Sequence, residues 1–566
     1  MPAWIPGSYL LRDYARHVAA ISARRDGEPV TITKLDSSTW SCPAASGALT
    51  VELEIFGFDL SVRGAYLDDR RAFFNGTCLF PWVHGKTSEP LQMIIEVPTP
   101  SYCQKWRVAT AMTPVAVDES GFGTYAVADY DELVDHPVEI SAFERRDFLA
   151  AGVPHHVVIA GRHEGDLDRL ITDLIQLCET QIGHFGQPAP MAEYWFLGLA
   201  TADGYGGLEH RASSSLIFGR DDLPRLGEPG VSKDYRRLLG LFSHEYFHTW
   251  LIKRIKPAAF TPYELQRRNY TELLWLFEGF TTYYQNLMLL RAGLLGVTAY
   301  LELLADTLNR VYRAPGRLAQ SASESSFDAW DKLYKPTADS ANAGVSYYSK
   351  GAMVALGLDL NIRLRTDGQF SLDNVLRELW TQFGGPDSSG LAEQGFNAVL
   401  REATGKEFGP LLNELVYERS DPPLAEWLAR FGVAMNFQRR DVPVGKDETQ
   451  APATELGLKM VVQQGLVRVQ QVLSGSTAEA AGVAPGDELV AINGLRLRDA
   501  DMSVLLGRAE PGDPVRLTLT RDDELLEREA VLQAAPLHDC KLTLVENADA
   551  TSLEHRNRWL GENLVT

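Results

Sequence analysis

The stretch SHEYFHTW, residues 243–250, places two histidines four residues apart with a glutamate directly after the first. Residues four apart on an α-helix are separated by about 40° around its axis, so the imidazoles of His244 and His248 share one face. Together they can hold a zinc ion, and Glu245 lies beside the metal, where its carboxylate can take a proton from an attacking water. Two ligands do not complete a zinc site. The alternative is therefore a buried helix whose histidines contribute only to packing.

The third ligand must come from further along the chain. A histidine six residues after His248 is excluded, because that position is Arg254. Glu272 and Glu278 are six residues apart, so on a helix they point about 240° from each other and cannot both face one metal. Gly279 lets neighbouring backbone approach beside Glu278, which favours Glu278 and leaves Glu272 as a solvated charge at a helix start. The carboxylates available as the third ligand are Glu264, Glu272 and Glu278.

Two consecutive helices are predicted to carry these residues. The first extends from about Lys233 to Ile255, because Pro257 cannot continue a helix. The second begins at about Thr271, where apolar residues recur with a helical period. Upstream, residues 1–165 alternate short apolar runs with turn signals, which predicts an antiparallel β-sandwich.

Composition limits the class of protein. The chain has 566 residues, too many for one hydrophobic core. Its net charge of -21 argues against a nucleic-acid surface, which needs clustered Lys and Arg. The five scattered cysteines lack C-x-x-C spacing, which disfavours a disulfide framework and favours a reducing compartment. No apolar run approaches ~18 residues and no secretory signal opens the chain, so we expect no membrane span and a cytoplasmic location.

Several motifs resemble one peptidase family. HEYFH, followed further on by FEGFTTYY, looks like the gluzincin metallopeptidases. The insertion KRIKP, the opening AWIPGSYLLRDYARH and the unit after residue 455 are similar to the glycyl aminopeptidase family with its PDZ domain. The resemblance covers nearly the whole chain. It implies a multidomain α+β fold with an N-terminal β-sandwich, a thermolysin-like zinc peptidase domain with a helical region, and a C-terminal PDZ domain.

The predicted domain organisation combines this resemblance with the patterning. SGSTAEAAGVAPGDELVAINGLRL is a signature of a bacterial-type PDZ domain, in which peptides dock as an added strand. The last five residues, ENLVT, are hypothesised to reach the PDZ groove or active site of a neighbouring subunit. The predicted segments are a β-sandwich (1–165), a thermolysin-like catalytic domain (166–292), a helical domain completing the active site (293–440), a linker (441–455), the PDZ domain (456–535) and a C-terminal tail (536–566).

The resemblance also assigns residues that handle substrate. GGLEH is similar to the glycine-rich edge strand of related aminopeptidases, which makes Glu209 the anchor for the substrate α-ammonium. Gly206 and Gly207 would line the peptide, since a strand without a Cβ lets another backbone come close. SYYSKGAMVAL resembles the tyrosine-x-Lys-Gly helix start of these peptidases, which assigns Tyr348 as the oxyanion donor and leaves Tyr347 to packing.

These assignments predict a zinc aminopeptidase. One Zn²⁺ per chain would be held by His244, His248 and Glu278, with Glu245 as general base, and the resemblance implies a preference for small N-terminal residues, Gly and Ala. Two alternatives stay open: a zinc endopeptidase with PDZ-guided substrate capture, and a non-catalytic PDZ adaptor with a vestigial metal site. The expected partners are peptide substrates, peptide C-termini at the PDZ domain and other copies of the chain in a homo-oligomer, but no nucleic acid.

Overall fold

The computed structural model describes residues 1–443, 449–498 and 506–561. The chain divides into two compact units that are interleaved along the sequence. The first unit comprises Met1–Thr271, Tyr284–Leu295 and Asp373–Val399. The second comprises Glu272–Tyr283, Gly296–Leu372 and Leu400–Thr566.

Short antiparallel strands fill the N-terminal region, because its apolar runs are brief and separated by turns. The elements are β1 (Val18–Arg25), β2 (Glu28–Pro29), β3 (Thr33–Lys34), β4 (Trp40–Ser41), β5 (Leu49–Ile55), β6 (Ala65–Leu67), β7 (Arg71–Phe74), α1 (Gly76–Leu79), β8 (Leu91–Ile95), β9 (Arg107–Ala109), β10 (Thr113–Val117), β11 (Gly123–Val127), α2 (Tyr130–Val134) and β12 (Val138–Ser141). They form the sheets β2-β1-β5, β6-β7-β12-β9 and β10-β11-β8, with β3 paired to β4. The last two of these sheets share one core, which buries Met93, Val108, Tyr125 and Ile140.

A five-stranded mixed sheet follows the N-terminal β-rich domain. Its elements are β13 (Glu144–Ala150), β14 (Val153–Ala160), α3 (Leu167–Phe185), β15 (Tyr194–Thr201), β16 (Gly206–Glu209) and β17 (Ser213–Gly219). The strand order is β13-β14-β15-β17-β16, which leaves β16 at one edge. The central strands β14, β15 and β17 are parallel, whereas β13 and β16 pair antiparallel.

The predicted boundary of the sandwich at residue 165 is therefore too late. Strands β13 and β14 lie inside 1–165, but they belong to the sheet of the next domain. The reason is that short antiparallel strands give the same alternating pattern whichever sheet they join. The pairing partner that decides the domain comes from β15, beyond the predicted boundary.

Two helices follow the sheet, as the sequence predicts, but the first is shorter than expected. Helix α4 spans Lys233–Phe247 and α5 spans Leu274–Arg291. The prediction of a first helix to Ile255 is wrong, because the chain turns after His248 and Ile252 adopts a left-handed conformation with φ 69°. Proline sets only the latest residue at which a helix can end.

Helices dominate the chain from residue 297 to residue 429. They are α6 (Val297–Tyr312), α7 (Ala322–Phe327), α8 (Ser340–Ala343), α9 (Tyr347–Arg365), α10 (Leu372–Phe383), α11 (Phe396–Thr404), α12 (Gly409–Val416) and α13 (Leu424–Ala429). The predicted helical domain, 293–440, needs correction, because residues 293–295 and 373–399, which include most of α10, group with the first unit. Asp373 of α10 accepts hydrogen bonds from Tyr284, at 2.7 Å, and Arg291, at 3.1 Å, both of which belong to that unit.

The predicted PDZ domain, 456–535, is a β-rich region with its own core. The elements before and within it are β18 (Val433–Gln438), β19 (Val442–Pro443), β20 (Thr449–Gln450), β21 (Thr454–Glu455), β22 (Leu458–Gln463), β23 (Leu466–Val472), α14 (Thr477–Ala480), β24 (Glu488–Ile492), β25 (Leu495–Arg496), β26 (Pro514–Arg521), β27 (Glu524–Val531) and β28 (Gln533–Ala534). The sheet order is β22-β23-β24-β26-β27, with β25 paired to β24. Of the predicted linker, 441–455, residues 444–448 lie outside the described residues.

The predicted C-terminal tail, 536–566, is largely a folded part of the second unit. Strand β29 (Asp539–Leu544) pairs antiparallel with β18, and helix α15 (Ala550–Leu560) follows it. Trp559 of α15 is 1% exposed and donates a hydrogen bond of 2.9 Å to the hydroxyl of Tyr283. The correction follows from this packing, since a free tail would not bury a tryptophan. The final ENLVT, 562–566, on which the capture hypothesis rests, lies outside the described residues.

Helix hydrophobicity bears on the membrane prediction. Among the helices of residues 1–443, 449–498 and 506–561, none is both long and apolar enough to cross a membrane.

Replacing Trp559 by alanine tests whether α15 is integral to the second unit. We expect Trp559→Ala to destabilise that unit by about 3 to 5 kcal/mol, because it removes a buried ring and leaves the Tyr283 hydroxyl without its donor. Glu546→Ala, at an exposed position between β29 and α15, is the control and should cost less than about 0.5 kcal/mol. Urea unfolding followed by tryptophan fluorescence and circular dichroism measures both. Equal stability of the two variants would contradict the structural role of α15.

Candidate metal centre

The two histidines predicted as ligands approach each other through one ring nitrogen each. His244 lies in the last turn of α4, and His248 caps its C-terminus. Their Nε2 atoms are 3.1 Å apart. Two nitrogens that bind one tetrahedral zinc, each at about 2.0–2.1 Å, stand about 3.3 Å from each other. The pair therefore has the separation that a shared zinc ion requires.

Both rings are oriented by a hydrogen bond at the other nitrogen. Nδ1 of His244 lies 2.8 Å from Oε1 of Gln285 on α5, and Nδ1 of His248 lies 3.2 Å from the carbonyl oxygen of Leu251. An Nδ1 that donates to an oxygen leaves Nε2 unprotonated, with its lone pair directed at the candidate site. Two facing lone pairs repel, so the arrangement favours a cation between them.

The structure brings Glu278 to this histidine pair. One carboxylate oxygen of Glu278 and one ring nitrogen each of His244 and His248 all lie within 4.8 Å of one another. Glu278 is 2% exposed. On α5, Glu278 precedes Gln285 by two helical turns, and residues seven apart share a helix face. The sequence did not identify Gln285, although its position on the face of Glu278 is a signal that could have found it.

The two other candidates for the third ligand belong to no metal-binding group of the described residues. Glu264 is exposed and forms an ion pair with Arg267. Glu272 precedes the first residue of α5 and lines a cavity that also contains Lys332 and Arg419. Metal binding by Glu278, and not by these two residues, stays a prediction. Glu278 has the position relative to the two histidines that metal binding requires.

Glu245, the predicted base, is buried against the edge strand β16. A Cβ at position 207 would collide with the carboxylate of Glu245, so Gly207 is required for that side chain to lie where it does. At position 206 the nearest atom to a Cβ would be 3.7 Å away, on Ile217. The sequence predicts that both glycines line the peptide. At position 207 a glycine is also required by the position of the Glu245 side chain.

Glu209, the predicted amine anchor, lies at the end of β16 and is 4% exposed. Its carboxylate, that of Glu245 and a ring nitrogen of His248 form a second group, with all ligand atoms within 4.8 Å of one another. Oε1 of Glu209 is buried and accepts no hydrogen bond from the described residues. Two buried carboxylates at this separation repel each other, so a positively charged group beside Glu209 would stabilise both.

The N-terminal segment forms a wall beside Glu209. Residues 1–9 are all buried, and a bridge between Ile5 and Ser8 closes a tight turn at Gly7. Gly7 has φ +90°, which favours glycine, and a Cβ there would lie 2.6 Å from both carboxylate oxygens of Glu209. The opening MPAWIPGSY therefore shapes the candidate site directly, which the sequence alone did not indicate.

The insertion KRIKP, whose charges the sequence left without a role, is part of a buried ionic network. Nζ of Lys253 lies 2.6 Å from Oδ1 of Asp135, and both side chains are buried. Burial alone would raise the pKa of the Asp135 carboxyl, but the charge of Lys253 helps to hold it well below its usual range. Nδ1 of His210 lies 3.6 Å from the same carboxylate. Arg254 donates to three backbone carbonyl oxygens, one of which is that of Arg211, two residues after the end of β16.

Tyr348, the predicted oxyanion donor, lies in the first turn of α9. It is half-buried, whereas its neighbour Tyr347 is fully buried, as expected for a packing residue. The Tyr348 hydroxyl is 3.0 Å from that of Tyr334, a residue to which the sequence gave no role. Burial raises the pKa of Tyr348 well above its usual value, and the charge of Glu278 raises it further. The hydroxyl is therefore protonated at neutral pH and available as a donor.

Two glycines bring the backbones of α5 and α9 together near these side chains. A Cβ on Gly279 would collide with the backbone of Gly351. Gly279 directly follows Glu278, and Gly351 lies one turn after Tyr348. The close backbone approach predicted for Gly279 is thus confirmed, and its partner is the helix that carries the candidate oxyanion donor.

Comparisons with known proteins match three regions of the chain. The M61 glycyl aminopeptidase profile matches residues 237–354, the peptidase M61 N-terminal domain matches 1–142 and a PDZ domain matches 454–532. The crystal structure of an aminopeptidase N family protein from Idiomarina loihiensis has 35% sequence identity and a TM-score of 0.93, covering 99% of this chain and 94% of that chain. This chain belongs to the M61 glycyl aminopeptidase family.

Other comparisons add less. An M1 zinc metallopeptidase from Deinococcus radiodurans has 15% identity and a TM-score of 0.43, covering 71% of this chain and 85% of that chain. A mutant of an M1 zinc metallopeptidase from the same organism, bound to a Tyr-Ser-Ala substrate, has 14% identity and a TM-score of 0.44, with the same coverage. No curated protein matches the chain.

Membership of the M61 family makes this protein a zinc metallopeptidase of the aminopeptidase type. The residues described above fit such a metal. Two imidazole nitrogens and a carboxylate form a donor set typical of catalytic zinc, in which three protein ligands leave a fourth position open. The converging Nε2 atoms of His244 and His248 are the observation on which this fit depends.

A pair of glycine substitutions tests the close contact between β16 and Glu245. We expect Gly207→Ala to lower kcat at least ~100-fold, because the added methyl group displaces the carboxylate of Glu245. Gly206→Ala adds the same methyl group where there is room, so its loss should be much smaller. Steady-state kinetics on an alanyl reporter, with zinc content and circular dichroism as checks on folding, measure both. Equal losses in the two variants would show that Glu245 is not constrained by Gly207.

Proposed function

We propose that this M61 peptidase removes the N-terminal residue from peptides, with small residues such as Gly and Ala preferred. One zinc ion per chain would be held by His244, His248 and Glu278. The observation that carries the aminopeptidase assignment is the buried carboxylate of Glu209, which lies beside Glu245 and His248 and has an oxygen that accepts no hydrogen bond from the described residues. A substrate α-ammonium supplies the donors and the positive charge that this carboxylate lacks.

The chemistry divides between the metal and the side chains around it. A zinc ion in this donor set supplies Lewis acidity, which lowers the pKa of water and polarises a carbonyl group. Glu245 takes the proton from the attacking water and transfers it to the departing amine. Its carboxylate lies over Gly207, at the middle of the strand along which an extended peptide can lie. Tyr348, protonated at neutral pH, donates a hydrogen bond to the oxyanion.

The preference for a small first residue is supported by the wall at Gly7. The first side chain of a peptide branches from the carbon that bears the ammonium, so it must lie near Glu209 as well. The Gly7 turn approaches the Glu209 carboxylate closely enough that even a methyl group at position 7 would overlap it. This crowding favours Gly and Ala at the first position over larger residues.

The alternatives are less well supported. An endopeptidase needs open space beyond the scissile bond on the N-terminal side, where the buried segment 1–9 lies against Glu209. A non-catalytic adaptor gives no reason for two Nε2 atoms to face each other at 3.1 Å. Peptide binding by the PDZ domain is consistent with either reading, since β22 lies at the edge of its described sheet.

Metal removal and Glu245→Gln test the proposed reaction. A chelator should abolish hydrolysis of alanyl reporters, and added zinc should restore it, because zinc supplies the Lewis acid. Glu245→Gln should lower kcat about 100- to 10,000-fold while zinc stays bound, since it removes only the base. Glu164→Gln, at an exposed glutamate of the same unit, is the matched control. Full activity of the Glu245 variant would rule out its role as the base.

Glu209→Gln tests the amine anchor. We expect kcat/KM for a free alanyl substrate to fall roughly 100-fold or more, because the ammonium loses its charged partner. The propionyl analogue, which lacks the amine, should be a poor substrate for the wild-type enzyme, and the variant should discriminate far less between the two. If the variant kept the wild-type discrimination, Glu209 could not be the anchor, and the endopeptidase reading would gain support.

A further inference from the structure

The edge strand β16 offers a free row of backbone groups beside the candidate metal centre. His210 donates from its N–H to the carbonyl oxygen of Ser213, at 2.9 Å, where β16 turns into β17. Hydrogen-bonded and non-bonded pairs alternate along an antiparallel ladder, so Leu208 bonds to β17 while Glu209 and Gly207 do not. The N–H and C=O groups of Gly207 and Glu209 therefore point away from the sheet, where an extended peptide can add as a strand.

One side chain already occupies this free row. Nη2 of Arg63, from the loop between β5 and β6, donates a hydrogen bond of 3.0 Å to the carbonyl oxygen of Gly207. Nη1 of the same guanidinium lies 3.8 Å from the position that a Cβ on Gly206 would take. Arg63 thus lies in the path of a peptide that extends along β16.

The loop that carries Arg63 is held firmly. The amide of Asn75, itself fully buried, donates to the carbonyl oxygens of Val62, at 3.0 Å, and Gly64, at 3.1 Å. The hydroxyl of Tyr14 donates to the carbonyl oxygen of Arg63 itself, at 2.6 Å. The guanidinium is therefore preorganised at the strand edge, which lowers the entropic cost of binding a ligand there.

The guanidinium of Arg63 has N–H donors that make no hydrogen bond within the described residues. An arginine side chain carries five N–H donors, and Arg63 makes one side-chain hydrogen bond, to Gly207, within the described residues. Its Nε is buried and has no hydrogen-bond partner there, and no Asp or Glu of residues 1–443, 449–498 and 506–561 forms an ion pair with it. A half-buried cation without a carboxylate partner is costly unless a ligand supplies one.

Three charged side chains are therefore ordered along β16. Glu209 lies at one end, Glu245 lies over Gly207, and Arg63 lies beyond, at Gly207 and Gly206. Strands rise about 3.4 Å per residue, so the span from Glu209 to Arg63 corresponds to two or three residues of extended peptide. The order is that of a short substrate: ammonium, scissile bond, then carboxylate.

We propose that Arg63 binds the C-terminal carboxylate of short peptides, which makes dipeptides and tripeptides the preferred substrates. This rests on the proposed aminopeptidase function, because Glu209 must hold the amine for the chain end to reach Arg63. Arg63 lies beside the position that the main chain of a bound peptide takes along β16. The carboxylate that it binds is therefore the C-terminal one and not that of a side chain. Its planar fork suits a carboxylate, which can accept two N–H bonds.

The test compares peptides that end in a carboxylate with the same peptides as amides. We expect kcat/KM for Ala-Gly to exceed that for Ala-Gly-amide about 10- to 100-fold in the wild-type enzyme. The ratio should persist for Ala-Gly-Gly and disappear in longer chains, whose ends lie past Arg63. In Arg63→Met the ratio should fall to near one, and Arg63→Lys should keep part of it, since lysine retains the charge but not the fork.

Arg16→Met is the matched control, because Arg16 is an exposed arginine in the same domain and should leave the ratio unchanged. An Arg63→Met variant that slows acid and amide peptides equally would overturn the proposal and make Arg63 a brace for β16. So would a wild-type ratio of one, or an Arg63-dependent preference seen only for Ala-Asp-amide over Ala-Asn-amide, which would assign the carboxylate to a side chain. Turnover of alanine p-nitroanilide, which has no carboxylate, separates these outcomes from failure of the aminopeptidase function itself.

Discussion

The Nε2 atoms of His244 and His248 lie 3.1 Å apart, and the surrounding contacts of the candidate site hold the two rings in this orientation. Each ring needs an acceptor at Nδ1 to turn its lone pair inward, and the early end of α4 provides one of them. In a continuous helix the carbonyl oxygen of Leu251 would accept from the backbone four residues later. Because the helix stops at Phe247, that oxygen lies near Nδ1 of His248 instead. The helix end that the sequence failed to predict therefore supplies one of the two Nδ1 acceptors at the candidate metal centre.

How far the site could be predicted depends on whether a residue's role is local. The positions of His244, Glu245 and His248 follow from spacing on one helix, and Glu278 follows from the geometry of the next helix and its neighbouring glycine. Gln285 shares a face with Glu278 and was within reach of the same reasoning. Gly7 and Arg63 were not, because each acts through a contact with β16, more than a hundred residues away, and no periodicity encodes such a contact.

The same distinction explains the fold. The PDZ domain, the β-rich N-terminal domain and the helical region were predicted because each has a strong local pattern. The boundary at residue 165 and the assignment of 536–566 as a tail were wrong, because both depend on which distant segment a strand or helix joins. Strand β29 looks like any short strand until it pairs with β18, and Trp559 gives no local sign that Tyr283 accepts from its ring. Packing partners, rather than element types, set the limit of the prediction.

Within the second unit, one segment connects the PDZ domain to the candidate oxyanion donor. The side chain of Asn342 donates to the carbonyl oxygen of Val472, at 2.9 Å, and accepts from the N–H of Ser474, also at 2.9 Å. Asn342 lies between Tyr334 and Tyr348, whose hydroxyls are 3.0 Å apart. Both hydrogen bonds are made to backbone atoms of the PDZ domain at the end of β23. They therefore fix the position of that strand end independently of its side chains. The PDZ domain is thus hydrogen-bonded to helix α8, which lies in the segment between the two tyrosines.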